Sequence, residues 1–239
     1  MQLTAQVTGN TFLTLNTFYK LQPFAFNFST IALMTFKHEL IFTLVISFAI
    51  FHMVIAGDAD ILSDFIVPPN ITFINSYFLT FTGMRIVLRA PPPTAFKVSK
   101  ASIAEFPALT GQSVSFAVLQ FPTGSVNPPH THPRSAELLF LLDGSLQVGF
   151  VDTTNKLFTQ TLHAGDLFVF PKGLVHYQYN SDLNHPAIAV SAFGSANAGT
   201  VSVPNTVFNT GIDDGILAKS FKTDIATIQK IQAGLAPKA

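Results

Sequence analysis

Between Ser115 and Phe193 the sequence alternates short β-favouring runs with turn signals, and this rhythm restricts the fold more than any other feature. Phe116, Val118 and Gln120 alternate with Ala117, Leu119 and Phe121. Leu146, Val148 and Phe150 alternate in the same way with Gln147, Gly149 and Val151. Successive side chains of a strand point to opposite faces, so each run offers one face to a core. Residues 137–142 form a continuous apolar run after Glu137, and 157–162, 166–170, 175–179 and 187–193 supply further strands. Asp143-Gly144 and the stretch from Asp152 to Asn155 are tight-turn signals. Short strands at intervals of roughly ten residues predict an all-β sandwich or barrel.

At 239 residues the chain is long enough for one well-buried domain and too short for two large ones. It has a formal net charge of +0, so no basic surplus attracts a phosphate backbone, and nucleic acid is excluded as a partner class. It contains no cysteine, which rules out disulfides, thiolate metal sites and a cysteine nucleophile.

The run from Leu40 to Ile55 is nearly all apolar, follows Lys37-His38, and ends in Val54-Ile55-Ala56 before the polar Gly57-Asp58. A basic flank, a short apolar core and a V-x-A exit read as a secretory signal peptide over residues 34–56. The run is short for a membrane span of roughly 20 residues, so no membrane association is expected once it is removed. Signals start near the initiator, which makes Met34 the expected start and residues 1–33 an extension outside the functional protein. Cleavage after Ala56 would leave 183 residues (239 less 56), a single domain over 57–239. Asn70-Ile71-Thr72 is a glycosylation sequon, usable on a secreted chain.

The tail changes character. The stretches 212–219 and 224–233 space apolar residues at three and four, as in Ile225, Ile228 and Ile231, and predict helices. Asp224 suits an N-cap and Gly234 a stop. These helices either pack on a partner or cap the barrel.

Chemistry concentrates at His130-Thr131-His132, Glu137 and His176. Residues two apart on a strand share a face, so His130 and His132 can reach one ion together. Glu137 enters an apolar strand, where a lone carboxylate is costly unless paired or metal-bound. Pro128-Pro129 stiffens the approach to His130. His38, His52, His163 and His185 stand outside this group. Three imidazoles and a carboxylate, with no sulfur, suit Mn(II) or Fe(II) with open coordination positions better than closed structural zinc. Open positions admit a small oxygen species or a small carboxylate.

The motif around these residues runs Gly124, five residues, His130-Thr131-His132, four residues, Glu137, six residues, Gly144. A second runs Gly165, five residues, Pro171-Lys172-Gly173, two residues, His176, three residues, Asn180. Both resemble the motifs of cupins, and within cupins the chain resembles the germin-like proteins of plants. Asn127 to Arg134, Gly165 to Pro171 and Asp60 to Phe65 carry that resemblance, which extends from about residue 58 to the end. It implies a jelly-roll β-barrel with C-terminal helices, a trimer or a trimer of dimers, secretion to the apoplast, and Mn(II) on residues matching His130, His132, Glu137 and His176. Superoxide dismutation and oxalate oxidation are activities of the family, and other members have no established one.

Two departures qualify the resemblance. The cysteine pair that germins usually bridge is missing; its first position is Ile66, which implies a looser N-terminal arm. Of the two asparagines that oxalate-oxidising germins place in the pocket, one is matched by Asn127 and the other falls at Ala117. Asn127 is either a ligand contact or a turn residue before Pro128. A site that lacks a hydrogen bond to its substrate loses orders of magnitude in discrimination, so oxalate oxidase activity is not expected. The remaining readings are a secreted manganese superoxide dismutase, an extracellular binding, storage or wall-associated protein whose metal serves stability, and, third, a receptor for a small carboxylate ligand.

Overall fold

The alternating runs pair into two five-stranded antiparallel sheets. One contains β1 (Lys97–Ala101), β2 (Ser115–Phe121), β4 (Glu137–Asp143), β7 (Leu167–Phe170) and β9 (Ala187–Phe193), in the order β1-β2-β9-β4-β7. The other contains β3 (Val126–Thr131), β5 (Ser145–Val151), β6 (Leu157–His163), β8 (Val175–Tyr179) and β10 (Val201–Ser202), in the order β10-β3-β8-β5-β6. This is the jelly-roll arrangement. The computed structural model describes residues 37–44 and 58–236, apart from 70, 72, 73 and 88. The chain divides into two compact units, 1–54 and 55–239. In the first, residues 37–44 are helical. The rest of the proposed leader and signal, and the sequon residue Asn70, lie outside the described residues. No helix among the described residues is long and apolar enough to cross a membrane.

Alternation decides what is buried. On β2 the inward set is Ala117, Leu119 and Phe121, and β4 contributes Leu139 and Leu141. Leu146 and Val148 of β5, Leu162 of β6 and Phe170 of β7 complete one continuous core with Ala187 and Ala189. Fully burying a Leu or Phe side chain is worth about 1.5–3 kcal/mol. Phe96 packs across Phe121 at a ring separation of 4.7 Å.

Two local devices shape this sandwich. Asp143-Gly144 does turn the chain sharply, but β4 pairs with β7 and β9 while β5 pairs with β6 and β8. The turn therefore carries the chain from one sheet to the other instead of closing a hairpin. Gly144 adopts φ 82°, and a Cβ there would meet the Pro186 carbonyl at 2.6 Å, so only glycine fits. The second device is the irregularity in the β3–β8 ladder between Asn127 and His130. It coincides with Pro128-Pro129, which have no amide hydrogens to give to a ladder.

The tail contains three helices, α1 (Val203–Phe208), α2 (Asp214–Phe221) and α3 (Ile225–Leu235). The spacing predicted the last two; α1, which carries Pro204 in its first turn and follows β10 directly, was not anticipated. Asp224 caps α3 as expected, accepting from the Thr227 amide at 2.9 Å. Gly234 does not end it: the helix continues to Leu235. Leu217, Ala218 and Ile228 form a small separate cluster with Val207 and Phe208, and α1 lies against β3.

The N-terminal arm is tied to the barrel by hydrogen bonds. Asp58 accepts hydrogen bonds from Ser195 Oγ and the Ala196 amide, both at 2.6 Å. Gln112 donates to the Asp64 carbonyl at 3.1 Å. Ile66 remains partly exposed beside Gly111.

Candidate metal centre

His130 and His176 are direct cross-strand partners on β3 and β8. His132 lies just beyond β3, and Glu137 opens β4 in the opposite sheet. The group therefore joins the two sheets. All four residues are buried, and one ligand atom from each lies within 4.8 Å of the others. Sequence spacing singled out these four, and the fold brings all four together. Of the histidines set aside, His163 and His185 are exposed, and His185 pairs with Asp182 at 3.1 Å.

Backbone carbonyls fix each imidazole. His130 Nδ1 lies 2.8 Å from the Pro128 carbonyl, His176 Nδ1 lies 2.9 Å from that of Leu174, and His132 Nδ1 contacts that of Gly199. A carbonyl only accepts, so each Nδ1 carries its hydrogen, and in the neutral ring each Nε2 presents a lone pair to the centre. Glu137 Oε2 stands 3.1 Å from Nε2 of both His132 and His176. Groups this close are joined by a shared proton or by a cation, and the three-imidazole, one-carboxylate donor set fits a divalent metal. Phe170 stacks on His176 at 4.5 Å, and Phe193 meets His132 edge-on at 4.8 Å.

Electrostatics keep the ligands in metal-ready states. Burial, and then the charge of His176, push the His130 imidazole down to about 4, so it is neutral at ordinary pH. Burial by itself raises the Glu137 carboxyl, but the facing imidazoles outweigh it and hold the group well below the usual carboxylate range. Glu137 is ionised.

Two polar partners escaped the sequence reading. Ser191 Oγ donates to Glu137 Oε1 at 2.6 Å, and Gln178 Nε2 donates to the same oxygen at 3.4 Å. Gln178 lies two residues after His176 and shares its face, so strand alternation from an identified ligand was the signal that would have found it. Ser191 continues the inward register of Ala187 and Ala189. Asn127 donates to Gln178 Oε1 at 2.6 Å. Asn180 serves the fold, donating to the Phe121 carbonyl at 3.1 Å and the His185 carbonyl at 2.9 Å.

His130, His132 and Glu137 open onto a cavity of about 260 Å³ whose wall includes Asn127 and Ala117. Asn127 thus lines the pocket and also belongs to the network that orients Glu137. Ala117 offers that wall a methyl group.

A family model described as Cupin matches residues 89–229. Germin-like protein 9-3 of Oryza sativa subsp. japonica is 64% identical over 192 residues, which are 77% of this chain and 89% of that protein. Germin-like protein 9-1 of the same plant is 49% identical over 76% of this chain and 75% of its own length. Two solved structures of oxalate oxidase, one in complex with the substrate analogue glycolate, are each 29% identical. Each covers 76% of this chain and 100% of its own, at a TM-score of 0.66. The motifs, the jelly roll, the buried three-histidine, one-glutamate group and these similarities agree that the chain belongs to the cupin family, among the germin-like proteins of plants.

Proposed function

We propose that this chain is a secreted manganese protein of the plant apoplast with superoxide dismutase-type activity and a role in defence or stress. The observation that carries the reading is the buried ligand set of His130, His132, Glu137 and His176, with every Nδ1 committed to a carbonyl, facing a cavity that admits a small molecule. A redox-active ion held there would supply one-electron chemistry through its open positions. The residues of the chain do the rest. Ser191 and Gln178 hold Glu137 Oε1 so that Oε2 faces the centre. The carbonyls of Pro128, Leu174 and Gly199 set the imidazole tautomers and ring directions. Phe170 and Phe193 shield the ligand rings from water.

Oxalate oxidation is not part of this reading. Ala117 provides no hydrogen bond for a second carboxylate, although Asn127 stands on the same wall. The same observation favours a second reading, an extracellular binding, storage or wall-associated protein whose metal stabilises the barrel. Secretion rests on the apolar run before Ala56, and it would make Asn70 a usable glycosylation site. Self-association as a trimer or hexamer is part of the proposal, supported by apolar residues left exposed on the tail, among them Ile216, Phe221 and Ile225.

The deciding experiment is elemental mass spectrometry of the secreted, unreconstituted protein, followed by a superoxide assay. Close to one manganese per chain, with dismutation above that of free Mn(II), supports the enzyme. Manganese without such activity leaves the structural reading, in which His130→Ala lowers stability and spares the biological role. Zinc or no metal overturns the redox proposal.

A further inference from the structure

The loop from Ser195 to Thr200, between β9 and β10, has a protein partner at every carbonyl from Ser195 to Gly199. Ser195 O accepts from Ser115 Oγ at 2.7 Å and Ala196 O from the Ile103 amide at 3.0 Å. Asn197 O accepts from Arg134 Nε and Ala198 O from the Arg134 amide at 3.1 Å. Gly199 O meets His132 Nδ1. Arg134 Nη2 also donates to Asn197 Oδ1 at 2.9 Å. At the start of the loop, Asp58 accepts from Ser195 Oγ and the Ala196 amide, both at 2.6 Å. Connecting segments are ordinarily the mobile parts of a fold; this one is bound along its length.

The three histidines differ in how they are oriented. The carbonyl partners of His130 and His176 lie two residues away in sequence, so the local strand sets those rings. The partner of His132 lies 67 residues away, on this loop. Only His132 takes the carbonyl partner of its Nδ1 from a distant segment. Gly199 adopts φ 72°, and the Arg134 guanidinium covers its open face so closely that a Cβ would sit 2.7 Å from Nη2. Loop conformation and guanidinium position therefore determine each other.

We propose that Arg134 and Asp58 are positioning residues for the metal centre: bonded to successive parts of the 195–200 loop, they fix it and, through the Gly199 carbonyl, the orientation of His132. The proposal rests on the four-residue group being a metal site and is independent of which metal it holds or of superoxide chemistry. Partners of this kind typically carry about 10–100-fold in metal affinity.

Zinc is a suitable probe because it is diamagnetic. The full-length chain is titrated with Zn(II), and the Nδ1–H resonances of the three histidines are followed by ¹H–¹⁵N NMR. Arg134→Gln should weaken zinc binding by about 10–100-fold and shift or broaden the His132 signal, leaving those of His130 and His176 in place. Arg134→Lys should resemble Arg134→Gln, because an ammonium lacks the fork that spans Asn197 O and Oδ1. Asp58→Ala should give the same selective signature with a smaller loss, and it carries the test if the Arg134 variants do not fold. Equal movement of all three resonances would mean general loosening and overturns the proposal. So does an unchanged His132 signal with affinity within twofold of the parent. Failure of the parent chain to bind zinc at these four residues overturns the metal-site reading and the proposal with it; tight binding by parent and variants alike overturns the positioning claim alone.

Discussion

The barrel and the helical tail meet solvent on different terms. Phe121, Leu139, Leu141, Leu146, Val148 and Phe170 are fully buried inside the barrel, whereas Ile228 is the fully buried large side chain of the tail. Ile216, Phe221, Ile225 and Ile231 of the tail stay exposed. The longer tail helices have 8 and 11 residues, and isolated helices shorter than about 12–15 residues are marginal in water. Order in the barrel is intrinsic to its two faces of apolar side chains. Order in the tail depends on three short helices leaning on one another and on β3. The metal centre draws every ligand from the barrel, the part that can hold it to tolerance.

The strongest way to test that division is to damage each side equally. Phe170→Ala removes a fully buried ring that also stacks on His176. A loss of about 3–5 kcal/mol is expected, read as a lower denaturant midpoint for the whole domain, together with weaker metal binding. Ile228→Ala, nominally about 2–5 kcal/mol, should act locally. Hydrogen exchange should accelerate in residues 203–235 while the barrel amides keep their protection. Equal acceleration in both regions would show that tail and barrel unfold as one unit.

How much of this was legible depended on how far the determining contacts lie along the chain. β2 and β5 could be read from alternation, because burial of one face is written nearly every second residue. The ligand set could be read because three histidines and a glutamate, two residue types with costly burial, stood at fixed spacing. The Asp143-Gly144 turn was visible, but its change of sheet was not, because pairing of β4 with β7 and β9 is a long-range choice. Gly234 misled because its helix runs one residue further, to Leu235, and termini are set by local competition among caps. The 195–200 loop left no periodic trace at all. Its order comes from contacts with Asp58, Ile103, Ser115 and Arg134, distant in sequence and unremarkable in type.

Acid offers a graded test confined to the barrel side. The His130 imidazole goes from 6.5 to about 4 on folding. Between those values the unfolded chain binds the extra proton, so stability is present above 6.5 and lost as pH falls toward 4. The depressed Glu137 carboxyl acts in the same direction at still lower pH, since acid favours the unfolded state in which it protonates more readily. Metal-free protein should therefore melt at falling temperatures as the pH drops through this window, and His130→Gln should flatten the slope. A slope unchanged by the substitution would move its origin away from the metal centre.

The smallest effect belongs to the tail and is the most discriminating there. Asp213 caps α2, accepting from the Ile216 amide at 3.0 Å. Asp213→Ala should cost about 1 kcal/mol. Inside the barrel such a loss would disappear among many buried contacts. In the tail it falls on a unit whose own cluster is Leu217, Ala218 and Ile228 with Val207 and Phe208. Amides of α2 and α3 should then exchange about five times faster, which is what 1 kcal/mol means for a local opening equilibrium, while the metal affinity stays unchanged. A matching loss of metal affinity would show that α1, through its contact with β3, passes strain from the tail to His130, and would erase the division between the two regions.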